Sequence, residues 1–259
     1  MFQIERKKEI LSLLHKEGKV YVTELTDIFG VSGATIRTDL SELEQEGLLT
    51  RTHGGAIEVY RTGEDATLEE RSTKRLSQKQ AIAKAALQFI SSGDSIIVDG
   101  GTTLGQFIEA LAVCPLKDLT IITNYTPHII SLSKCPEITT MVTGGIYNKD
   151  IKATLGLPAI EMLAKFKADK VLLSATSVSV EQGITFTNVD DALVKRKMLE
   201  QAKTKILLTD SSKIGKSSLI SAGSLSQIDV LITDWEILED DVKEIKNLGV
   251  EVIVAPQPK

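Results

Sequence analysis

The sequence predicts an α/β protein with two parts, an N-terminal winged helix-turn-helix and a larger, open, mostly parallel α/β domain. Signals for helix, turn, helix and hairpin crowd into residues 1–60, whereas short apolar runs alternate with helical patterns beyond residue 80. The chain has 259 residues, 42% of them hydrophobic, which is more than one small domain needs. We expect domains at 1–60 and 76–259, joined by a polar, charged linker at 61–75.

The first helix is predicted to be amphipathic and to end near Gly18. Its apolar residues, spaced among charged ones, are Ile4, Ile10, Leu11, Leu13 and Leu14. Gly30 marks a tight turn before a later helix, because glycine enters left-handed backbone conformations without a Cβ penalty. These segments would complete a three-helix core.

The helix after Gly30 has one apolar and one polar face. Ile36, Leu40 and Leu43 recur at the i, i+4, i+7 spacing of a buried face. The opposite face is small and polar, which suits the DNA major groove, and Ser32 stands at the N-cap position. The residues expected to contact DNA from this helix are Ser32, Gly33, Thr35, Arg37, Thr38 and Ser41.

A hairpin is predicted after this helix. Residues 48–51 and 56–60 pair around His53-Gly54-Gly55, since paired glycines suit a hairpin turn. Arg51 and His53 would then border the DNA backbone. Net charge does not favour DNA, because residues 1–57 hold seven Lys/Arg against nine Asp/Glu. The alternative is a protein-docking helix-turn-helix, but Arg37 and Arg51 lie on the predicted contact side.

Seven short apolar runs beyond residue 80 have the character of buried parallel strands. They are residues 95–99, 119–123, 139–143, 170–174, 205–210, 229–234 and 251–255. Helix-like stretches, including residues 104–111, 188–202 and 239–247, lie between them. This alternation predicts an open sheet covered by helices on both faces.

Glycines and polar residues follow several of these strands, at the sheet edge where ligands usually bind. Residues 100–103, Gly-Gly-Thr-Thr, lead into a helix, so amides and hydroxyls there can surround a phosphate. Lysines can add positive charge, and carboxylates or an amide can bind sugar hydroxyls. The predicted sugar-phosphate site consists of Asp99, Gly101, Thr102, Thr103, Thr123, Asn124, Gly144, Gly145, Lys195, Asp210 and Lys213.

The same residues also have a plainer interpretation. A strand followed by two glycines and a threonine is commonly a turn with an N-cap, so each loop can be purely structural. Asp191 and Lys195 are four residues apart, and for Asp191 we favour an ordinary ion pair on a helix surface.

Other chemistry has little support in the sequence. Cys114 and Cys135 have neither metal-site spacing nor a disulfide framework, so reduced thiols are expected. The three histidines lack ligand spacing, and we expect no metal, cofactor or catalytic residue. No apolar run approaches the roughly 18 residues that span a bilayer. We therefore expect a soluble, cytoplasmic protein without a membrane partner, whose formal net charge of −5 disfavours indiscriminate nucleic-acid binding.

Residues 6–56 resemble the DNA-binding domain of DeoR-type bacterial transcription regulators. The resemblance rests on VSGATIRTDL at 31–40 and GLLTRTHGGA at 47–56. Thr38 stands where the family pattern has a second arginine, which removes a cation from the expected contact face.

Residues 76–234 resemble the effector domain of the same family, a domain similar to ribose-phosphate isomerase. The matching segments are 99–103, 123–124, 144–145, 194–196 and 210–213. Two departures are Ser174-Ala-Thr-Ser177 in place of a Gly-x-x-Gly turn, and Asp191 in place of glutamate. We expect this wall of the pocket to be smaller and more polar.

The resemblance implies a sequence-specific transcription regulator, most commonly a repressor of a carbohydrate operon. Its partners would be double-stranded operator DNA, a phosphorylated sugar effector and further copies of itself, as a dimer or tetramer. One competing hypothesis is an isomerase or transferase, although the expected isomerase motifs Asp-Gly-Ala-Asp-Glu and Lys-Gly-x-Gly-Gly are absent. Another is that the α/β domain serves assembly alone.

Overall fold

The computed structural model describes residues 3–17, 19–45, 48–52, 54–58 and 68–258. The chain divides into two compact units, Met1–Arg61 and Thr62–Lys259. One hydrophobic cluster fills the first unit, and two fill the second. The predicted fold class is confirmed in both units.

The first unit is a winged helix-turn-helix. Its helices are α1 (Gln3–Glu17), α2 (Val22–Phe29) and α3 (Gly33–Gln45). Its strands are β1 (Lys19–Tyr21), β2 (Leu49–Thr52) and β3 (Gly55–Glu58), in the antiparallel order β1-β3-β2. The hairpin β2–β3 was predicted, whereas β1 was not, because three residues carry too short a pattern to identify a strand.

The predicted core of this unit is confirmed. Ile36, Leu40 and Leu43 are buried against Ile10 and Leu14 of α1. Gly30 ends α2 in the left-handed conformation, with φ of 63°, and its amide donates to Thr26 O at 2.9 Å. The predictions for Gly18, for the side chain of Ile4 and for residues 59–60 lie outside the described part of the chain.

The second unit is built around a seven-stranded sheet. The strands are β4 (Ser95–Val98), β5 (Leu119–Thr123), β6 (Ile138–Val142), β9 (Ala168–Leu173), β12 (Ala202–Leu208), β14 (Val230–Asp234) and β15 (Glu251–Ala255). Their order is β15-β14-β12-β9-β4-β5-β6, and every neighbouring pair is parallel. All seven predicted strands are therefore present.

Helices cover both faces of this sheet. They are α4 (Leu68–Thr73), α5 (Leu76–Ala86), α6 (Thr102–Ala112), α7 (Thr126–Leu132), α8 (Leu157–Leu163), α9 (Val189–Glu200) and α10 (Glu239–Asn247). Alternate residues of a strand point to opposite faces. Accordingly, Ile96 and Val98 pack with α5 and α6, whereas Ile97 belongs to the cluster that includes α8 and α9.

Several short elements were not predicted. The hairpin β7 (Ile146–Asn148) and β8 (Ala153–Leu155) is one, and the antiparallel sheet of β10 (Ser177–Ser179), β11 (Gly183–Phe186) and β13 (Ile220–Gly223) is another. Single 3₁₀ turns lie at Leu87–Phe89, Ser211–Lys213 and Leu225–Gln227. Part of the predicted linker is helical, because α4 lies within residues 61–75 and its Leu68 packs on the core.

Candidate functional site

Helix α3 presents the predicted contact residues on its accessible side. Ser32, Arg37 and Thr38 are exposed, and Thr35 and Ser41 are half-buried. Ser32 Oγ accepts a hydrogen bond from the Thr35 amide at 3.1 Å, which confirms the predicted N-cap. The Thr38 hydroxyl donates to Ala34 O at 3.1 Å, so towards the surface it can only accept hydrogen bonds.

Arg37 and Arg51 supply exposed cations near the ends of this surface. A Cβ on Gly33 would lie 3.3 Å from Nη1 of Arg37, so the small residue leaves room for the guanidinium. The Arg51 amide donates to Glu44 Oε1 at 2.8 Å, which ties β2 to α3. His53, also predicted to border DNA, lies outside the described residues.

A buried ion pair that was not predicted from the sequence holds α3 to α1. Arg6 Nε donates to Asp39 Oδ2 at 2.6 Å, and Arg6 Nη2 donates to Asp39 Oδ1 at 3.2 Å. Gln3 Nε2 donates to the same Oδ1 at 3.1 Å. Asp39 lies on the inner side of α3, so it positions the helix and leaves the outer side free. The signal in the sequence was a charged residue directly before buried Leu40.

In the second unit, a buried lysine of helix α9 reaches a predicted strand-end residue. Lys195 Nζ of α9 lies 2.5 Å from Asp99 Oδ1, just after β4, and 2.8 Å from Asp191 Oδ1. Burial alone would lower the pKa of Lys195, but Asp191 and Asp99 outweigh it and raise that pKa above its ordinary range. The predicted ion pair between Asp191 and Lys195 is present, but its predicted position on the helix surface was wrong, because Lys195 is only 5% exposed and reaches across to the sheet.

The loop between β4 and α6 is shaped by close contacts. Gly101 has φ of 127°, and a Cβ there would lie 2.7 Å from Ser174 Oγ, while one on Gly100 would lie 2.6 Å from the Tyr125 ring. Ser174 Oγ approaches Gly100 O at 2.7 Å and Asp99 Oδ2 at 3.1 Å. Ser174, one of the departures from the family pattern, is therefore part of the wall.

Two buried polar atoms beside this loop lack a hydrogen-bond partner among the described residues. They are Thr103 Oγ1, in the first turn of α6, and Asn124 Oδ1, after β5. The N-cap residue Gly101 provides no side-chain cap, so the amides at the start of α6 also lack one. Buried polar atoms normally have a partner, and leaving one unpaired costs about 1–3 kcal/mol. These atoms are suited to receive a ligand or water.

Other predicted residues already have internal partners. Thr123 Oγ1 accepts from the Tyr125 amide at 3.1 Å and lies 3.4 Å from His128 Nδ1. Asp210 Oδ1 accepts from the Ser212 amide at 3.2 Å and forms an ion pair with Arg75 Nε at 3.2 Å. Thr123 and Asp210 therefore shape the loops at least as much as they face a ligand.

Lys213 and the paired glycines complete the predicted set. Lys213 Nζ donates to Ala175 O at 2.8 Å, and burial lowers its pKa despite the nearby charge of Asp210. A Cβ on Gly145 would lie 2.6 Å from Leu155 O, so packing against β8 explains this glycine. Gly144 has no neighbour within 4 Å of such a Cβ, and its ligand role stays a prediction.

A cleft of about 290 Å³ opens beside this loop. Its lining residues come from α4, from α6 and α7 with the residues just before them, and from the β7–β8 turn: Leu68, Glu69, Ser72, Gly101, Thr102, Gly105, Gln106, Glu109, Tyr125, Pro127, His128, Ser131 and Lys152. Neither α4 nor Tyr125 was predicted from the sequence to belong to the site. Tyr125 directly follows the predicted Thr123-Asn124 segment, which was the available signal.

Within the described ranges, no group of three or more His, Cys, Asp or Glu side chains is arranged to hold a metal ion. None of the described helices combines the length and apolar character needed to cross a bilayer. Cys114 and Cys135 are free thiols.

A winged helix-turn-helix followed along the chain by an α/β unit with a polar strand-end site defines a DNA-binding regulator with a sensor domain. The DeoR-like helix-turn-helix domain matches residues 6–62, and the DeoR C-terminal sensor domain matches residues 74–235. The chain therefore belongs to the DeoR family of transcriptional regulators. This confirms the resemblance drawn from the sequence.

Two transcriptional regulators agree with this assignment. The HTH-type transcriptional regulator GlpR of Haloferax volcanii is 35% identical and covers 98% of both chains. The putative aga operon transcriptional repressor of Escherichia coli O157:H7 is 32% identical over 96% of this chain and 93% of its own. A solved D-ribose-5-phosphate isomerase in complex with phospho-erythronic acid is 17% identical over 52% of each chain, with a TM-score of 0.40.

Proposed function

We propose that this chain represses a carbohydrate-metabolism operon and releases or alters its hold on DNA when a phosphorylated sugar binds the second unit. A relative named as a putative aga operon repressor supports the repressor role. One observation carries the effector half. The uncapped start of α6 lies beside unpartnered Thr103 Oγ1 and Asn124 Oδ1, next to the buried Asp99–Lys195 pair.

On the DNA side, α3 would enter the major groove. Thr35, Thr38 and Ser41 would face base edges, while the N-terminal turn at Ser32 and Gly33 would face a phosphate. Arg37, Arg51 and His53 would approach the DNA backbone or the base edges beside it. Support comes from the exposure of this side of α3 and from the buried Asp39–Arg6 pair that fixes the opposite side.

On the effector side, the phosphate would accept hydrogen bonds from the loop at Gly101, Thr102 and Thr103. Lys195 and Lys213 would supply positive charge, since Lys195 forms a buried pair with Asp99, and the charge of Asp99 also acts on the half-buried Lys213. Asn124 Oδ1 would accept a hydrogen bond from a sugar hydroxyl. In this proposal Thr123 and Asp210 position the loops, and Gly144 and Gly145 shape the rim.

We also propose the domain division 1–60, 61–75 and 76–259, and a homo-oligomer that places two winged helices one or more DNA turns apart, roughly 34 Å or a multiple. The protein would act in the cytoplasm, on DNA, as a regulator rather than an enzyme, and without a cofactor. Its effector must bind the DNA-competent and DNA-incompetent states unequally, typically by about 1–3 kcal/mol.

The test is a titration of the full chain into its own upstream promoter DNA, followed by fluorescence anisotropy at about 150 mM salt, with scrambled DNA as control. Candidate sugar phosphates are then added. We expect specific binding that one of them reverses. Specific binding that no sugar phosphate changes would contradict the sensor proposal, and equal binding to scrambled DNA would contradict operator recognition.

A pair of matched variants tests the site itself. Thr103→Val removes an unpartnered hydroxyl beside the α6 start, and Thr233→Val removes one on β14, which β12 and β9 separate from β4. We expect about tenfold weaker sugar-phosphate binding in Thr103→Val, the loss of about one hydrogen bond to a charged group. Thr233→Val should bind as the unmodified chain does, and equal affinities in both variants would contradict the location of the site.

A further inference from the structure

Helix α4 carries an arginine whose surroundings differ from those of its neighbour. Arg71 is half-buried, and its Nε has no hydrogen-bond partner among the described residues. Arg75, one turn later, reaches Asp234 at 3.2 Å, Glu236 at 2.8 Å and Ser211 Oγ at 2.9 Å, besides Asp210. Arg75 therefore anchors the chain through Nη2 and an ion pair of its Nε with Asp210, although that Nε also lacks a hydrogen bond, whereas the buried Nε of Arg71 has neither a hydrogen bond nor an ion pair among the described residues.

The positive charge of Arg71 acts on three groups of the strand-end site. It lowers the pKa of Lys213 and of Lys79, in both cases after burial as the main cause, and the pKa of Lys79 falls to about 8. It also acts on Tyr125, together with Asp99 and Lys195. Arg71 therefore acts electrostatically on two lysines and on Tyr125, a residue that Asp99 and Lys195 also influence.

Among the described residues, no anion lies within hydrogen-bond distance of Arg71 Nε, and the nearby carboxylate of Asp99 is already paired with Lys195. Like charges raise one another's free energy, and an unpaired buried donor adds a further cost. Asp210 opposes part of this charge, but it is shared with Arg75 and with the Ser212 amide. A doubly charged phosphate would offset the repulsion, and the planar guanidinium fork matches two of its oxygens.

Residues of α4 on either side of Arg71 line the cleft beside the loop. Leu68 packs on the core, and Glu69 and Ser72 line the cleft together with Gly101 and Thr102. Lys79 of α5 holds the end of α4 from below, because its ammonium donates to the carbonyl oxygens of Arg71 and Lys74. Helix α4 thus lines the cleft near the start of α6 on one side and is held by Lys79 at its end.

We propose that Arg71 is an anion-binding residue of the effector site. When phosphate occupies the loop, its contact with Arg71 holds α4 against that loop. The proposal rests on the proposed sugar-phosphate site. It adds a residue, Arg71, from the segment that was predicted from the sequence to be a linker. In the chain, α4 follows residues 59–67, which come directly after the wing strand β3. A ligand that fixes α4 therefore fixes the point at which the chain enters the described part of the second unit.

The experiment uses calorimetric titration of the full chain with inorganic phosphate. The variants are Arg71→Gln, Arg71→Lys and Thr103→Val, with Arg196→Gln as control, since Arg196 on α9 donates instead to Ser221 O at 2.7 Å. We expect about tenfold weaker phosphate binding in Arg71→Gln, partial recovery in Arg71→Lys, and no change in Arg196→Gln. Hydrogen exchange should show phosphate slowing the α4 amides in the unmodified chain but not in Arg71→Gln.

The outcomes separate the two proposals. Undiminished phosphate binding in Arg71→Gln, with weakened binding in Thr103→Val, would overturn the role of Arg71 and leave the loop site standing. No phosphate binding by the unmodified chain would overturn the phosphate site and this inference with it. Weaker binding in Arg71→Gln without any change in α4 exchange would overturn the tie between phosphate and α4.

Discussion

Each unit of this regulator contains a fully buried carboxylate paired with a cation, and the two pairs differ in their surroundings. Asp39 in the first unit accepts from both Arg6 and Gln3, and these bonds hold α3 to α1. Asp99 in the second unit pairs with Lys195, which also binds Asp191. Both carboxylates are 0% exposed.

The difference lies in what remains unsatisfied nearby. The Asp39 carboxylate is satisfied on both oxygens by the first unit's own side chains, which is typical of a scaffold that fixes a helix. Beside Asp99, Thr103 Oγ1 and Asn124 Oδ1 lack partners among the described residues, and the start of α6 lacks a side-chain cap. The same type of ion pair thus supports a rigid reading surface in one unit and an incomplete, ligand-accepting site in the other.

The largest expected effect comes from Asp39→Asn. Both described bonds of the Arg6 guanidinium go to Asp39, so the variant leaves a buried cation uncompensated and should destabilise the first unit by about 3–5 kcal/mol. Segment-resolved hydrogen exchange should show faster exchange in α1 and α3, with the sheet of the second unit unchanged. Glu42→Gln is the control, because its pair with Lys7 is partly exposed and worth under about 1 kcal/mol. Equal exchange in the two variants would contradict a structural role for Asp39.

Asp99→Asn should cost less stability and more function. Lys195 keeps Asp191 as a partner, so we expect a loss of about 2 kcal/mol in the free energy of unfolding. Sugar-phosphate or phosphate binding should fall at least tenfold, because the geometry of Lys195 and the loop depends on this carboxylate. Denaturant unfolding and calorimetry measure the two effects, with exposed Asp240→Asn as control. A stability loss equal to that of Asp39→Asn, with binding retained, would remove the contrast between the pairs.

The pH dependence of stability should separate the units as well. Burial lowers the pKa of His128, in the second unit, to about 3. Between pH 6.5 and 3 the unfolded chain therefore binds a proton that the folded chain does not, so stability falls as pH falls, by about 2 kcal/mol from pH 7 to 5 for this group. Denaturant unfolding of the unmodified chain and of His128→Gln at both pH values gives the difference. Identical pH slopes would show that His128 does not contribute.

The smallest expected effect concerns the exposed face of α3. Arg37→Ala should weaken operator binding about tenfold, as expected for one lost arginine contact, and leave phosphate binding unchanged. Thr38→Arg, which adds the cation missing from the family pattern, should strengthen operator binding. Anisotropy titrations at several salt concentrations measure both variants. Operator affinity unaffected by Arg37→Ala would exclude Arg37 from the contact surface.

The sequence by itself determined the division into a winged helix-turn-helix and an α/β domain, the seven parallel strands and the two faces of α3. Each of these follows from local periodicity, because Ile36, Leu40 and Leu43 repeat at a helical spacing and buried strands appear as short apolar runs. The glycines at 30 and 101 were also readable, since a turn or a close approach requires them.

Only the tertiary structure decided which polar residues meet. Arg6 and Asp39 are 33 residues apart and Asp99 and Lys195 are 96 apart, and no local pattern encodes such pairs. The structure likewise turned part of a charged linker into α4 beside the strand ends. Whether a charged side chain is solvated, paired or left without a partner depends on what long-range packing brings next to it. That packing pairs Arg75 and Lys195 with carboxylates and leaves Arg71 Nε without a hydrogen-bond partner among the described residues.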